Sequence, residues 1–147
     1  MSWAPQQVQI KIYSTLTADS ALMVLLGTTV GGTQKVFDFV PDNQAFPFLV
    51  MEINPWQDRG SHTTEGFEAE LWVHTWYQPG VGSFTGRGNK QVQLIQSRVD
   101  ELLHLQELTF TGWNNLLLRR STVDIITDPD NVTKHGIQKF KLLVGGQ

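Results

Sequence analysis

The order of apolar and polar positions divides the chain into helical and extended stretches. From Pro5 to Leu16 the residues Val8, Ile12 and Leu16 recur every fourth position, the spacing that gathers side chains on one helix face. Pro5 suits a first turn, whose backbone N–H would lack an intrahelical acceptor anyway. Ile10 leaves a strand open here; helix is the preferred reading. A short second helix is expected with Thr17 as N-cap, Asp19 in its first turn, Leu22, Leu25 and Leu26 on the buried side and Gly27 as the stop. After a loop from Gly27 to Thr33, two strands are predicted: Val36–Val40, ended by Pro41, and Phe48–Ile53, set between Pro47 and Pro55. Proline has no N–H to donate, so these ends cannot continue a central ladder.

Residues Pro55 to Gly66 are polar and turn-rich, as in the connection of an extended hairpin. From Phe67 to Tyr77 the period becomes two. Phe67, Ala69, Leu71, Val73 and Tyr77 share one face, and Glu68, Glu70, Trp72, His74 and Trp76 the other. The aromatic end of that outward face must cover something or be covered. A glycine-rich segment, QPGVGSFTGRGNK, then leads into a helix with Val92, Ile95, Val99, Leu102 and Leu103 along one stripe and Gln91, Gln93, Gln96 and Arg98 toward water. Two last strands, Leu116–Ile126 and Ile137–Val144, flank the turn signal Asp128-Pro129-Asp130-Asn131, with Phe140, Leu142 and Val144 facing in and Lys139 and Lys141 out. With no repeat, low-complexity segment or linker, the order α-α-β-β-β-α-β-β predicts one α+β domain over residues 1–147, a mainly antiparallel sheet with helices packed on one face.

Composition narrows the chemistry. The 147 residues suffice to bury a core without staples, and the absence of cysteine excludes disulfides, thiolate metal sites and a cysteine nucleophile. Neither a basic-then-apolar leader nor an apolar run long enough for a membrane helix occurs, so a soluble, unexported protein is expected, and the Asn131-Val132-Thr133 sequon carries no weight. The net charge of −3, from 11 basic and 14 acidic residues scattered along the chain, offers no basic stripe for DNA. Five tryptophans and eight phenylalanines serve cores and protein interfaces alike.

Strand, glycine loop and helix in that order are the context of a phosphate cradle. The letters fail it. No Gly-Lys followed by Ser or Thr is present, and Gly80, Gly82 and Gly86 miss the dinucleotide spacing by one residue. His62, His74, His104 and His135 form no ligand pair at helical spacing, and His74 between Trp72 and Trp76 reads as a packed or interface histidine. Ser83 lies in no nucleophile elbow. The pairs Glu68 with Glu70 and Asp100 with Glu101 read as solvated surface charge. Arg119 and Arg120 point to opposite sheet faces and suit either an internal ion pair or a contact to an acidic partner. No catalytic residue, cofactor site or metal site is therefore expected.

Four pieces in fixed order carry a family resemblance: Leu16-Thr17-Ala18-Asp19 with its leucine-rich helix, the block VFDFVPDNQAFPFLV from Val36 to Val50, His74-Thr75-Trp76 before a glycine loop and helix, and the tail STVDIITDPDNVTKHGIQKFKLLV. This layout, over nearly the whole chain, resembles the tail terminator or tail completion proteins of long-tailed bacteriophages and phage-like particles. The resemblance implies a small non-catalytic virion protein, assembled in the host cytoplasm. It would form a ring, usually of six subunits, that caps the head-proximal end of the tail tube, stops its polymerisation and offers a docking surface to the head connector, with DNA only passing through the channel.

A closed ring needs two different complementary patches on each subunit, plus surfaces toward tube and connector. Trp56 in the hairpin connection and Phe84 in the glycine loop stand where no core periodicity demands them, and Arg59 and Arg87 are nearby polar anchors. These four are the expected assembly contacts. Competing readings are a head-completion or adaptor protein of the neck, or a small α+β enzyme or ligand-binding domain using the loop from Pro79 to Gly88.

Overall fold

A computed structural model describes residues 3–80, 84–110 and 113–146. Helix α1 spans Ala4–Thr17 and buries Ala4, Val8, Ile12 and Leu16, the face set by the four-residue period. Helix α2 is Ser20–Leu25, ended by Gly27 at a φ of 78°, where a side chain would be strained. Its N-cap is Asp19 rather than Thr17: the Asp19 carboxylate accepts from the Leu22 N–H at 2.8 Å, whereas the Thr17 hydroxyl donates back to the Tyr13 carbonyl within α1. Thr17 cannot cap a second helix while it is still the last residue of the first.

The strands are β1 (Val36–Phe37), β2 (Phe48–Ile53), β3 (Gln57–Asp58), β4 (Gly66–Tyr77), β5 (Glu107–Phe110), β6 (Trp113–Thr127) and β7 (Lys134–Gly146), with helix α3 (Lys90–Leu103) between β4 and β5. They form one sheet in the order β1-β2-β4-β7-β6-β5, with β3 added to β4 as the continuation of the hairpin. Every pairing is antiparallel except β1 with β2. The α+β class thus holds. The inward residues Ala69, Leu71 and Val73 of β4 and Phe140, Leu142 and Val144 of β7 join the buried faces of all three helices in one core.

Further expectations are corrected. The strand predicted over Val36–Val40 stops at Phe37, because Asp38 turns aside to accept a hydrogen bond from Gln9 Nε2 at 3.0 Å. β3 and β5 were not foreseen. β5 follows Leu105, whose φ of 56° is a conformation that leucine rarely takes and that no local signal marks. Gln96 does not face water: it is buried against β6 and β7, donating from Nε2 to the Asp124 carbonyl at 3.1 Å, while its own carbonyl accepts from Gln138 Nε2 at 2.8 Å. Arg98 also turns inward, gripping both oxygens of Asp19 at 2.6 and 2.8 Å and so tying α3 to the start of α2.

Candidate assembly surfaces

With the helices on one face, the other face of the sheet is assembled from alternate residues of β2, β4, β7 and β6. Across its middle runs an aromatic ladder. Lys139 Nζ lies 4.0 Å above the Trp72 ring, whose indole N–H donates to Glu70. His74 stands between Glu52, at 2.6 Å from Nε2, and His135, at 2.8 Å from Nδ1. A carboxylate only accepts, so His74 Nε2 carries the proton given to Glu52, and in neutral His74 Nδ1 accepts from Nε2–H of His135. His135 stacks on Trp76 at 3.9 Å between ring centroids. Burial holds the His135 pKa below its ordinary value and the nearby His74 pushes the same way, with Asp128 opposing. The ladder is thus satisfied within the molecule. Among the described residues no group of three or more His, Asp or Glu side chains is placed to hold a metal ion.

The carboxylates read as surface charge lie at the surface and form ion pairs there. Glu68 accepts from Arg59 at 2.9 Å, Asp100 pairs with Arg120 at 2.7 Å and Glu101 with Arg98 at 2.7 Å. A bulge between Arg120 and Thr122 shifts the alternation of β6, and the two adjacent arginines do part: Arg120 turns to α3 and Arg119 to the open face.

The four residues expected at assembly contacts lie toward the two ends of β4. Trp56 and Arg59 belong to the hairpin at its Gly66 end, where β3 pairs Gln57 with Glu68 and Asp58 with Phe67. Trp56 is half-buried, its ring edge-on to Phe67 at 6.1 Å; Arg59 reaches Glu68 and Gln57. Phe84 and Arg87 follow the Tyr77 end, where the Tyr77 hydroxyl donates to the Gly86 carbonyl at 2.7 Å. The Phe84 ring covers Gly27 so closely that a Cβ there would stand 3.0 Å from it; Arg87 is exposed. The structure therefore places Trp56 and Arg59 near one end of β4 and Phe84 and Arg87 near the other, with Trp56 packed on Phe67 and Arg59 on Glu68 of the opposite face. Residues 81–83, including Ser83 and part of the glycine loop, lie outside the described residues.

Two features escaped the sequence reading. Phe39 is 81% exposed, the most exposed large apolar side chain described, in the segment Asp38–Asp42 beyond β1. Near the opposite sheet edge, Leu105, Leu117 and Leu143 are 59, 42 and 51% exposed around one shallow hollow that Arg119 and Lys141 border. The signal was present in the run Leu116-Leu117-Leu118, since strand alternation cannot bury all three.

Apolar side chains kept on the surface are features that protein–protein contacts use. The comparisons name the class: the chain belongs to the family Tail completion protein gp17, whose model matches residues 10–145, and is thus one of a family of structural proteins of phage tails. The tail completion protein gp17 of Bacillus phage SPP1 is 37% identical over 59 residues, which span 40% of this chain and 44% of that protein, less than half its length. A chain from the virion of a native gene transfer agent particle shares the fold at a TM-score of 0.72 and 19% identity, covering 99% of this chain and 100% of its own.

Proposed function

We propose that this chain completes the tail by closing the head-proximal end of the tail tube as a ring, six copies in number, halting tube growth and presenting a platform to the head connector. The observation that carries the proposal is the family match over residues 10–145. The partners are then copies of itself, the tube protein and the connector, and the place is the head–tail joint of the virion, with assembly in the host cytoplasm. The Trp56–Arg59 hairpin and the Phe84–Arg87 segment, near opposite ends of β4, serve as contacts along the ring axis. A net charge of −3 on each copy favours passage of DNA rather than its retention, provided the bore shares that sign.

Electron microscopy of tail tubes incubated with the purified chain tests this reading. The expected outcome is a ring on one end of each tube and no further elongation from that end. Binding to the head connector with none to tubes would instead make it a neck adaptor. A stable monomer that takes up nucleotide would favour a ligand-binding domain built on the loop from Pro79 to Gly88.

A further inference from the structure

We infer that copies of this chain join edge to edge, with Phe39 of one copy seated in the hollow formed by Leu105, Leu117 and Leu143 of the next. The inference rests on the ring reading only in taking a second copy as the occupant; each half of the contact is visible in the isolated chain.

The hollow lies across β6 and β7 and is roofed on one side by Leu105, which follows α3. Leu117 and Leu143 are cross-strand neighbours there, and the next outward pair along the same strands is Arg119 opposite Lys141. Like charges directly opposite on a sheet repel; Glu70, opposite Lys141 on β4, offsets part of this, and among the described residues Arg119 has no carboxylate opposite it on a neighbouring strand. Neither cation makes an ion pair among the described residues, and the one carboxylate lining the hollow, Glu68, is held by Arg59. The site thus asks for an apolar knob with carboxylates beside it.

The segment beyond β1 has that chemistry. Phe39 projects into solvent between Asp38 and Asp42. Asp42 has no partner among the described residues, and Asp38 is held only by the neutral Gln9. The order β1-β2-β4-β7-β6-β5 puts this segment at one sheet edge and the hollow toward the other. A knob cannot enter the hollow of its own chain across the width of the sheet. Used between copies, two different surfaces form a head-to-tail contact that leaves a free knob and a free hollow on any open chain of subunits, so growth continues until rotation closes a ring. An apolar centre fenced by complementary charge is also how stable interfaces are commonly arranged.

The absence of cysteine makes the test clean, because every thiol present is an engineered one. Asp42→Cys and Arg119→Cys are exposed substitutions that each remove one charge of the proposed contact and leave Phe39, the leucines, Asp38 and Lys141 in place. Mixed and treated with a short bismaleimide, the two variants are expected to give a covalent heterodimer that neither gives alone, and a chain carrying both substitutions a ladder of multimers. Adding Phe39→Asp to the Asp42→Cys chain should lower the heterodimer yield on the order of tenfold, with the circular dichroism spectrum unchanged. Cross-linking between two Asp42→Cys chains, or a heterodimer yield indifferent to Phe39→Asp, overturns the inference. Rings on tube ends without this cross-link would sink the knob and leave the proposed function standing; the cross-link without tube binding would do the reverse.

Discussion

Asp19 serves two elements at once. Its carboxylate caps α2 through the Leu22 N–H and takes a two-point grip from Arg98 of α3. The Arg98 hydrogen bonds, assisted by the Leu22 N–H and opposed by partial burial, hold the Asp19 pKa below its usual value. A depressed folded-state pKa contributes stability above the unfolded value of about 3.9, lost as pH falls through the folded one. Asparagine caps as well as aspartate does but carries no charge. Asp19→Asn should therefore be less stable than the natural chain at pH 7, and that gap should begin to narrow as the pH drops below about 4 and close only below the folded value. Asp19→Ala should cost about 1 kcal/mol more, the loss of the cap. Urea melts of the three proteins at pH 7 and pH 3 check both expectations; a gap at pH 3 as wide as at pH 7 would remove the ion pair from the account.

At the scale of elements, α3 is packed hard against β7. A Cβ on Gly136 would stand 2.7 Å from both Gln96 Nε2 and Val92 Cγ1, closer than real contacts allow, whereas one on Gly145 of the same strand would meet nothing within 4 Å. Gly136→Ala should cost on the order of 1–3 kcal/mol, as overpacking does, and Gly145→Ala should be nearly neutral. Equal urea midpoints for the two variants would contradict a close-packed junction. Such pairings explain what the sequence could tell. Where burial is one-sided and regular, as in α1, β2 and β4, the pattern located the element to within a residue or so. It failed where a tertiary partner decides: Gln96 is polar but buried because Asp124 and Gln138 supply its bonds, and β5 exists because Leu105 turns the chain back onto β6. The assembly surfaces were half legible for the same reason. Trp56 and Phe84 stood out as aromatics in loops, but only the sheet order shows that Phe39 and Leu117 lie toward opposite edges.

For the whole molecule, the sheet has two independent directions, and the two sets of exposed features are arranged along different ones. Phe39 and the leucine hollow are separated across the strands; Arg59 and Arg87 are separated along them, near the ends of β4, twelve residues or roughly 40 Å apart in an extended strand. A subunit of a ring stacked between two partners needs this division, because lateral contacts set closure and axial contacts set what is joined. The arginines are better probes than their aromatic neighbours, since Trp56 packs on Phe67 and Phe84 covers Gly27, so trimming either ring also costs stability. Arg87→Glu should leave the cross-link between positions 42 and 119 intact, whereas Arg59→Glu frees Glu68 beside the hollow and should weaken it. One of the two substitutions should weaken binding to the tube and the other binding to the connector, each on the order of tenfold, with the partner at the far end unaffected. Sedimentation with purified tubes and with connectors measures both. If the two substitutions impair the same partner, the ends of β4 do not correspond to the two faces of the proposed ring, and in that ring the subunit must sit with its strands tangential to the tube rather than along it.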